Sequence, residues 1–284
     1  MSHGKIAVIA DAEKQKELAP LVRKGGEIFG SALFASYGKI RIETGRGIRV
    51  VCDGEELTEY DAVFPFPSSM GDAALPVIAA LDSSLAYVPY GMDAYFSFQR
   101  KALGMKILSH SGFSCLDVHH ALTEDALTDA IPTLPFPIRI RIGDKSSIIE
   151  DKKHLSALMK LRKSGQAISV EETVPDKLIG CFVANNEALA SVDIINGKTR
   201  AANVGSVMQD MAVSAVRSLG SSYGFVTFAD DKIVSFTLSP PIASIEAASG
   251  KDVCTPLLNV AKNARPARKL GILRAIMGAI GVRK

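Results

Sequence analysis

Residues 219–250 read LGSSYGFVTFADDKIVSFTLSPPIASIEAASG. The stretch parses as the end of a helix, a strand over 224–228, a turn at Ala229-Asp230-Asp231 and a second strand over 233–238. Pro240-Pro241 breaks the strand, and a helix opens at Ser244 with Glu246 behind it. A hairpin that runs into a helix start is therefore expected here.

Working upstream, residues 5–10 are a short apolar strand ending at Asp11, and the polar segment 12–25 has the length of a following helix. Residues 39–43 and 47–52 alternate as a hairpin, 60–66 is a strand, 72–81 a helix and 85–90 a strand. Asp93 can cap a helix over 94–110 that stops at Gly112, because its carboxylate accepts from the orphan amides of the first turn. Residues 135–142 form an alternating strand, 151–163 a helix and 167–174 a strand. A hairpin over 181–184 and 188–195 turns at Asn185-Asn186, and 208–219 is the helix that leads into the opening stretch. The fold class is α/β, with enough antiparallel hairpins to be written α+β.

The chain of 284 residues is long enough for two or three packed subdomains, and 47% hydrophobic with 22% charged residues is an ordinary globular balance. Cys52, Cys115, Cys181 and Cys254 are too widely spaced for a zinc site or a redox pair, which suits a reducing cytoplasm. The apolar run at the N-terminus is too short for a signal peptide or a membrane span and reads as a first strand. After Asp252 there is no acid, whereas Lys262, Arg265, Arg268, Lys269, Arg274, Arg283 and Lys284 follow. A mildly acidic body with a basic tail argues against a general nucleic-acid surface.

Leu219-Gly220, Gly224, Pro240, Ile245-Glu246, Gly250 and Asp252 fall in step with a known pattern. The chain resembles the ATP-grasp superfamily, in particular the carboxylate-amine ligases that add glutamate to a ribosomal protein. The resemblance covers about residues 1–260 and implies an N-terminal pre-ATP-grasp α/β domain over 1–92. Two ATP-grasp subdomains would follow, over 93–165 and 166–264. A basic amphipathic C-terminal helix over 265–284 carries Leu270, Leu273, Ile276, Met277 and Ile280 at helical spacing.

The resemblance also implies site residues. Lys101 and Arg141 fall where the family places nucleotide-binding lysines, and Glu171 and Glu172 fall at the polar positions of its hinge strand. Asn203 matches an Asn before the family's Gly-Gly loop. The family's three magnesium ligands, an Asp, a Glu and an Asn, fall on Thr227, Ser235 and Thr237. Its glycine-rich phosphate loop falls on Gly143-Asp144-Lys145-Ser146-Ser147-Ile148, with a single Gly. Other polar positions of the family are held by Phe66, Leu178, Gly180 and Asp193. Each residue also has a plainer reading: Lys101 suits an exposed helix face, Arg139 and Arg141 a solvated edge strand, and Asp230 and Asp231 a turn.

Such enzymes phosphorylate a carboxylate with ATP and let an amine attack the acyl phosphate. Magnesium there needs hard anionic oxygens, and two Thr hydroxyls and a Ser are neutral. ATP is thus the implied ligand, while Mg2+ lacks its carboxylates. The first reading is a degenerate ligase that binds a nucleotide, ligand or partner in the groove between the subdomains. The alternatives are an active ligase joining an amino acid such as glutamate to a peptide or pterin-like cofactor, and a non-catalytic scaffold or regulatory subunit. The tail could dock on the body, on a homo-oligomer or paralogous partner, or on an anionic surface.

Overall fold

The run IAVIA at residues 6–10 is buried along its whole length, as a strand covered on both faces requires. The structure, a computed structural model, describes residues 4–45, 47–67, 74–121, 123, 126–127, 136–142, 145–155 and 168–263. The expected tail helix, Gly143-Asp144 of the expected phosphate loop and most of the helix expected over 151–163 lie outside these residues.

β1 (Gly4–Ala10) is the centre of a three-stranded parallel sheet. α1 (Gln15–Phe29) crosses over to β2 (Gly30–Ser36), which pairs with one side of β1. Sequence reading ends this helix at Gly25; the structure carries it to Phe29, with Gly30 closing it at φ 97°. Gly25 is instead a packing position, since a Cβ there would lie 2.3 Å from Ile6 Cδ1. β3 (Ile40–Thr44), β4 (Ile48–Cys52) and β5 (Glu55–Glu56) make a separate antiparallel sheet, and β6 (Ala62–Pro65) returns to the other side of β1. α2 (Leu75–Asp82) follows. The strand expected over 85–90 makes only single bridges, Ala62 to Tyr87 and Tyr90 to Ser221. Pro89 has no N–H to give to a ladder.

In place of one helix over 94–110 there are two, α3 (Met92–Gln99) and α4 (Lys101–His110). The helix breaks at Arg100, with φ −114° and ψ 79°. Gly104 lets the two pack closely, because a Cβ at 104 would stand 2.6 Å from the Ser97 carbonyl oxygen. Lys101 therefore opens α4 and does not lie mid-helix.

β7 (Val118–Ala121), β8 (Ile138–Ile142), β9 (Lys145–Ile149) and β10 (Ile168–Glu172) form an antiparallel sheet in the order β7-β10-β8-β9. Alternation sends Ile138 and Ile140 into a small core with Ile168 and Val170, which puts Arg139 and Arg141 on the opposite face. β8 is paired on both sides, so these arginines do not mark a sheet edge. Residues 145–148, where the phosphate loop is expected, belong to the strand β9, whose register begins at Ile142 opposite Lys145.

The third sheet is built from β11 (Lys177–Ala184), β12 (Glu187–Ile195), β13 (Lys198–Ala201) and, after α5 (Ser206–Ser218), β14 (Tyr223–Ala229) and β15 (Lys232–Thr237). Its order is β13-β12-β11-β14-β15, all antiparallel. Asn185 and Asn186 both take positive φ, 53° and 63°, as a tight hairpin turn demands. α6 (Ile242–Ser249) starts two residues before Ser244. Glu246 does not cap α6: its Oε1 accepts from the N–H groups of Val253 and Cys254 at 3.0 and 3.2 Å, and so caps α7 (254–263). α5 and α4 cover one face of this sheet; α6, α7 and the first sheet's core cover the other.

Tyrosines join the first sheet to the third. Tyr90 Oη donates to the Pro65 carbonyl at 2.6 Å and Tyr223 Oη to the Leu238 carbonyl at 2.8 Å. The rings of Phe66 and Tyr90 stand 6.0 and 6.1 Å from that of Tyr223. Burial raises the Tyr90 and Tyr223 hydroxyls well above their ordinary pKa, so both stay neutral donors. Tyr37 is 6% exposed, and its hydroxyl alone among the buried side-chain polar atoms of the described residues has no partner. Tyr37→Phe is therefore expected to raise stability by about 1 kcal/mol, because the folded state no longer holds an unsatisfied group. A higher urea midpoint at unchanged slope is the result to look for, and a lower midpoint would contradict it. Among the described residues no helix is long and apolar enough to cross a membrane.

Candidate functional site

A cavity of about 400 Å³ opens where three parts of the chain meet. The α3–α4 junction supplies Lys101, Gln99 and Gly104, the second sheet Arg139, Arg141 and Glu171, and the edge strand β15 Ser235 and Phe236. The volume lies in the range of small-molecule sites. Each charged residue reaches it for a local reason: Lys101 is turned out by the break at Arg100, and the arginines lie on the polar face of β8.

Glu171 is the hub. Its side chain is 9% exposed and forms an ion pair with Lys101 through Oε2. Oε1 faces Arg139 Nη1 at 3.7 Å, and the register sets Arg139 directly opposite Glu171 across the β8–β10 ladder. Arg141, two residues on, is opposite Ser169 and more open. Burial lowers the Lys101 pKa, Glu171 pulls it back up, and Arg141 and Arg139 push it down again. The wall thus carries three cations against one carboxylate, and it suits a ligand with negative charge.

Of the residues singled out in the sequence, Lys101, Arg141 and Glu171 line this cavity together with Ser235. Glu172 is turned away, since neighbours on a strand face opposite sides. Its Oε1 holds Lys232 Nζ at 2.5 Å and accepts from the Asp117 N–H at 3.3 Å. Asn203 is exposed ahead of α5 and does not line the cavity. Arg139 also lines this cavity, although the sequence did not single it out as a site residue. The signal was present in the IRIRI alternation, which puts it on the same face as Arg141, but its partner on β10 is set by a non-local register.

Thr227 and Ser235 are directly opposite across β14 and β15, and Thr237 is opposite Phe225. Thr227 is buried, and Thr237 Oγ1 already accepts from the Ser239 N–H at 3.0 Å. These three neutral hydroxyls do not fit Mg2+, which favours carboxylate oxygens. Among the described residues no three His, Cys, Asp or Glu side chains are grouped to hold a metal. Asp230 is a turn residue with φ 52°, at the tip of the hairpin. Beside Thr227 the sheet face is filled by hydrocarbon: an ideal Cβ on Gly180 would lie 2.0 Å from the Phe225 ring. On the opposite face the Phe236 ring covers Gly224 in the same way, at 2.4 Å. In both cases an aromatic ring covers the glycine diagonally across the ladder.

No family model matches the chain, and no curated protein matches it. Solved structures do match over most of its length. The D-alanine-D-alanine ligase from Coxiella burnetii aligns with a TM-score of 0.73 over 98% of this chain and 99% of that chain, at 13% identity. A RimK domain ATP-grasp protein from Sphaerobacter thermophilus aligns with a TM-score of 0.72 over 90% and 99%, at 15% identity. The ATP-grasp ligase PsnB, complexed with minimal precursor, Mg and ADP, gives a TM-score of 0.66 over 92% and 98%, at 14% identity. At these identities the likeness is one of fold.

Proposed function

We propose, from the premise that this chain has the ATP-grasp fold, that it binds a nucleotide in the groove beside Glu171 and does not carry out ordinary magnesium-dependent ligation. The observation that carries this reading is the cavity wall of Lys101, Arg139, Arg141 and Glu171, next to neutral Ser235. Cationic side chains lining a groove suit phosphate oxygens, and Arg forks in particular bind them in pairs. Phosphoryl transfer, in contrast, relies on metal ions to offset charge as it develops, and the positions that would hold them lack carboxylates. Lys101 and Arg141 are phosphate contacts in this reading, and Glu171 is the anion that pairs with Lys101 in the structure.

Titration calorimetry of ATP into the full chain tests it. Saturable binding in the micromolar range is expected for ATP and ADP, with no inorganic phosphate released when carboxylate and amine substrates are added with Mg2+. Failure of both nucleotides to bind would overturn the reading. A second reading is an active ligase that joins an amino acid such as glutamate to a peptide, favoured by the match of nearly the whole chain to solved ligases. Substrate-dependent phosphate release would establish it over the first.

A further inference from the structure

We infer that the groove takes the phosphates of a nucleotide without a metal ion, with Arg139, Arg141 and Lys101 as their counter-charge and Glu171 as a built-in anion that they displace. This deepens the nucleotide reading and rests on it.

Two features of the site belong together. From the β14–β15 hairpin only Ser235 brings a polar side chain to the cavity, and its neutral hydroxyl cannot draw a divalent cation out of water; Thr227 and Thr237 do not line it. The facing wall carries cations in excess of carboxylates. A metal-dependent site has the reverse balance, with carboxylates on the protein holding the ion that bridges the phosphate oxygens. Here the positive charge is fixed to the protein.

Arg139 is the residue that turns this balance. It adds a cation on the face already occupied by Arg141, and without a ligand its guanidinium and the Lys101 ammonium share the one buried carboxylate of Glu171. That arrangement keeps two cations close together in a partly buried place, where their repulsion is weakly screened. The Lys101 pKa is lowered first by burial, and Arg141 and Arg139 add smaller pushes in the same direction. A ligand phosphate offers more anionic oxygens than Glu171 and competes with it for the same donors. Removing the carboxylate charge while keeping its shape should then favour the ligand.

The test is titration calorimetry on the full chain with ATP, once in excess MgCl2 and once in EDTA, repeated with Glu171→Gln, Arg139→Gln and Arg141→Gln. The dissociation constants of the unchanged protein are expected to agree within about threefold in the two buffers. Glu171→Gln should bind roughly tenfold more tightly, and Arg139→Gln and Arg141→Gln roughly tenfold more weakly, a factor worth about 1.4 kcal/mol. Arg141 is exposed, so its variant carries the test if Glu171→Gln does not fold. Binding only in MgCl2, or weaker binding by Glu171→Gln, would overturn the inference while leaving the nucleotide reading intact. Inorganic tripolyphosphate in EDTA separates the remaining cases. If it binds with the same ranking of variants while ATP does not, the anion site stands and the nucleotide reading fails. If neither binds, both fail.

Discussion

Gly180→Arg is expected to destabilise the folded chain by about 3 kcal/mol, because position 180 has no room for a side chain. The ideal Cβ of residue 180 lies 2.0 Å from the Phe225 ring, with two more ring carbons at 2.8 Å. No rotamer of the new side chain avoids that contact, because it arises at Cβ. Phe225 is 4% exposed, within the core shared with Phe182, Ala190 and Val192, so its ring has no space to retreat into. Phe225→Ala by itself leaves a cavity and should cost about 3–5 kcal/mol. Together the two changes should cost less than their sum by at least about 1 kcal/mol, since the arginine stem enters the space that the ring leaves. A double-mutant cycle from urea unfolding reads that coupling directly. Additive losses would mean that the ring does not occupy the space the new side chain needs. The position is thus closed by packing: the Phe225 ring fills the space a side chain at 180 would need.

Elements with a local cause were legible in the sequence. The hairpin of β14 and β15 announces itself by alternation around Ala229-Asp230-Asp231, and the Asn185-Asn186 turn by residues that tolerate positive φ. What failed had non-local causes. Gly25 looks like a helix stop because glycine is a poor helix former, yet it lies inside α1 and packs closely on the Ile6 side-chain tip. The break at Arg100 has no proline to signal it; it depends on α4 closing down on Ser97. Residues 145–149 carry no strong strand signal and gain their order from pairing with β8. The site followed the same rule. Lys101, Arg141 and Glu171, singled out by a pattern, line one cavity, whereas the pairing of Arg139 with Glu171 and the outward turn of Glu172 follow from strand register and pleat.

Gly104→Val is expected to remove both stability and ligand binding, because this position sets where Lys101 points. Its Cβ would stand 2.6 Å from the Ser97 carbonyl oxygen and 3.4 Å from the Ser97 carbonyl carbon. Both are backbone atoms of the preceding helix. At Gly25 the obstruction is the tip of a flexible isoleucine and can move; here α3 and α4 themselves must separate. Opening that junction should cost about 2–3 kcal/mol. It also carries the first turn of α4 away from β10, so the Lys101 ammonium leaves Glu171 and the cavity wall. Nucleotide affinity should therefore fall roughly tenfold or more, a loss of about 1.4 kcal/mol or more in binding. Lys101→Met separates the two effects. It removes the ammonium while leaving the helix break intact, and Arg139 still faces Glu171, so it should lose comparable affinity with a smaller drop in stability. Urea unfolding and ATP titration on the two variants side by side are the measurement. If Gly104→Val binds ATP as the unchanged protein does while Lys101→Met does not, the kink has no part in presenting the lysine. If both keep full affinity, Lys101 is not a ligand contact, and its pairing with Glu171 serves only to hold α4 against the second sheet.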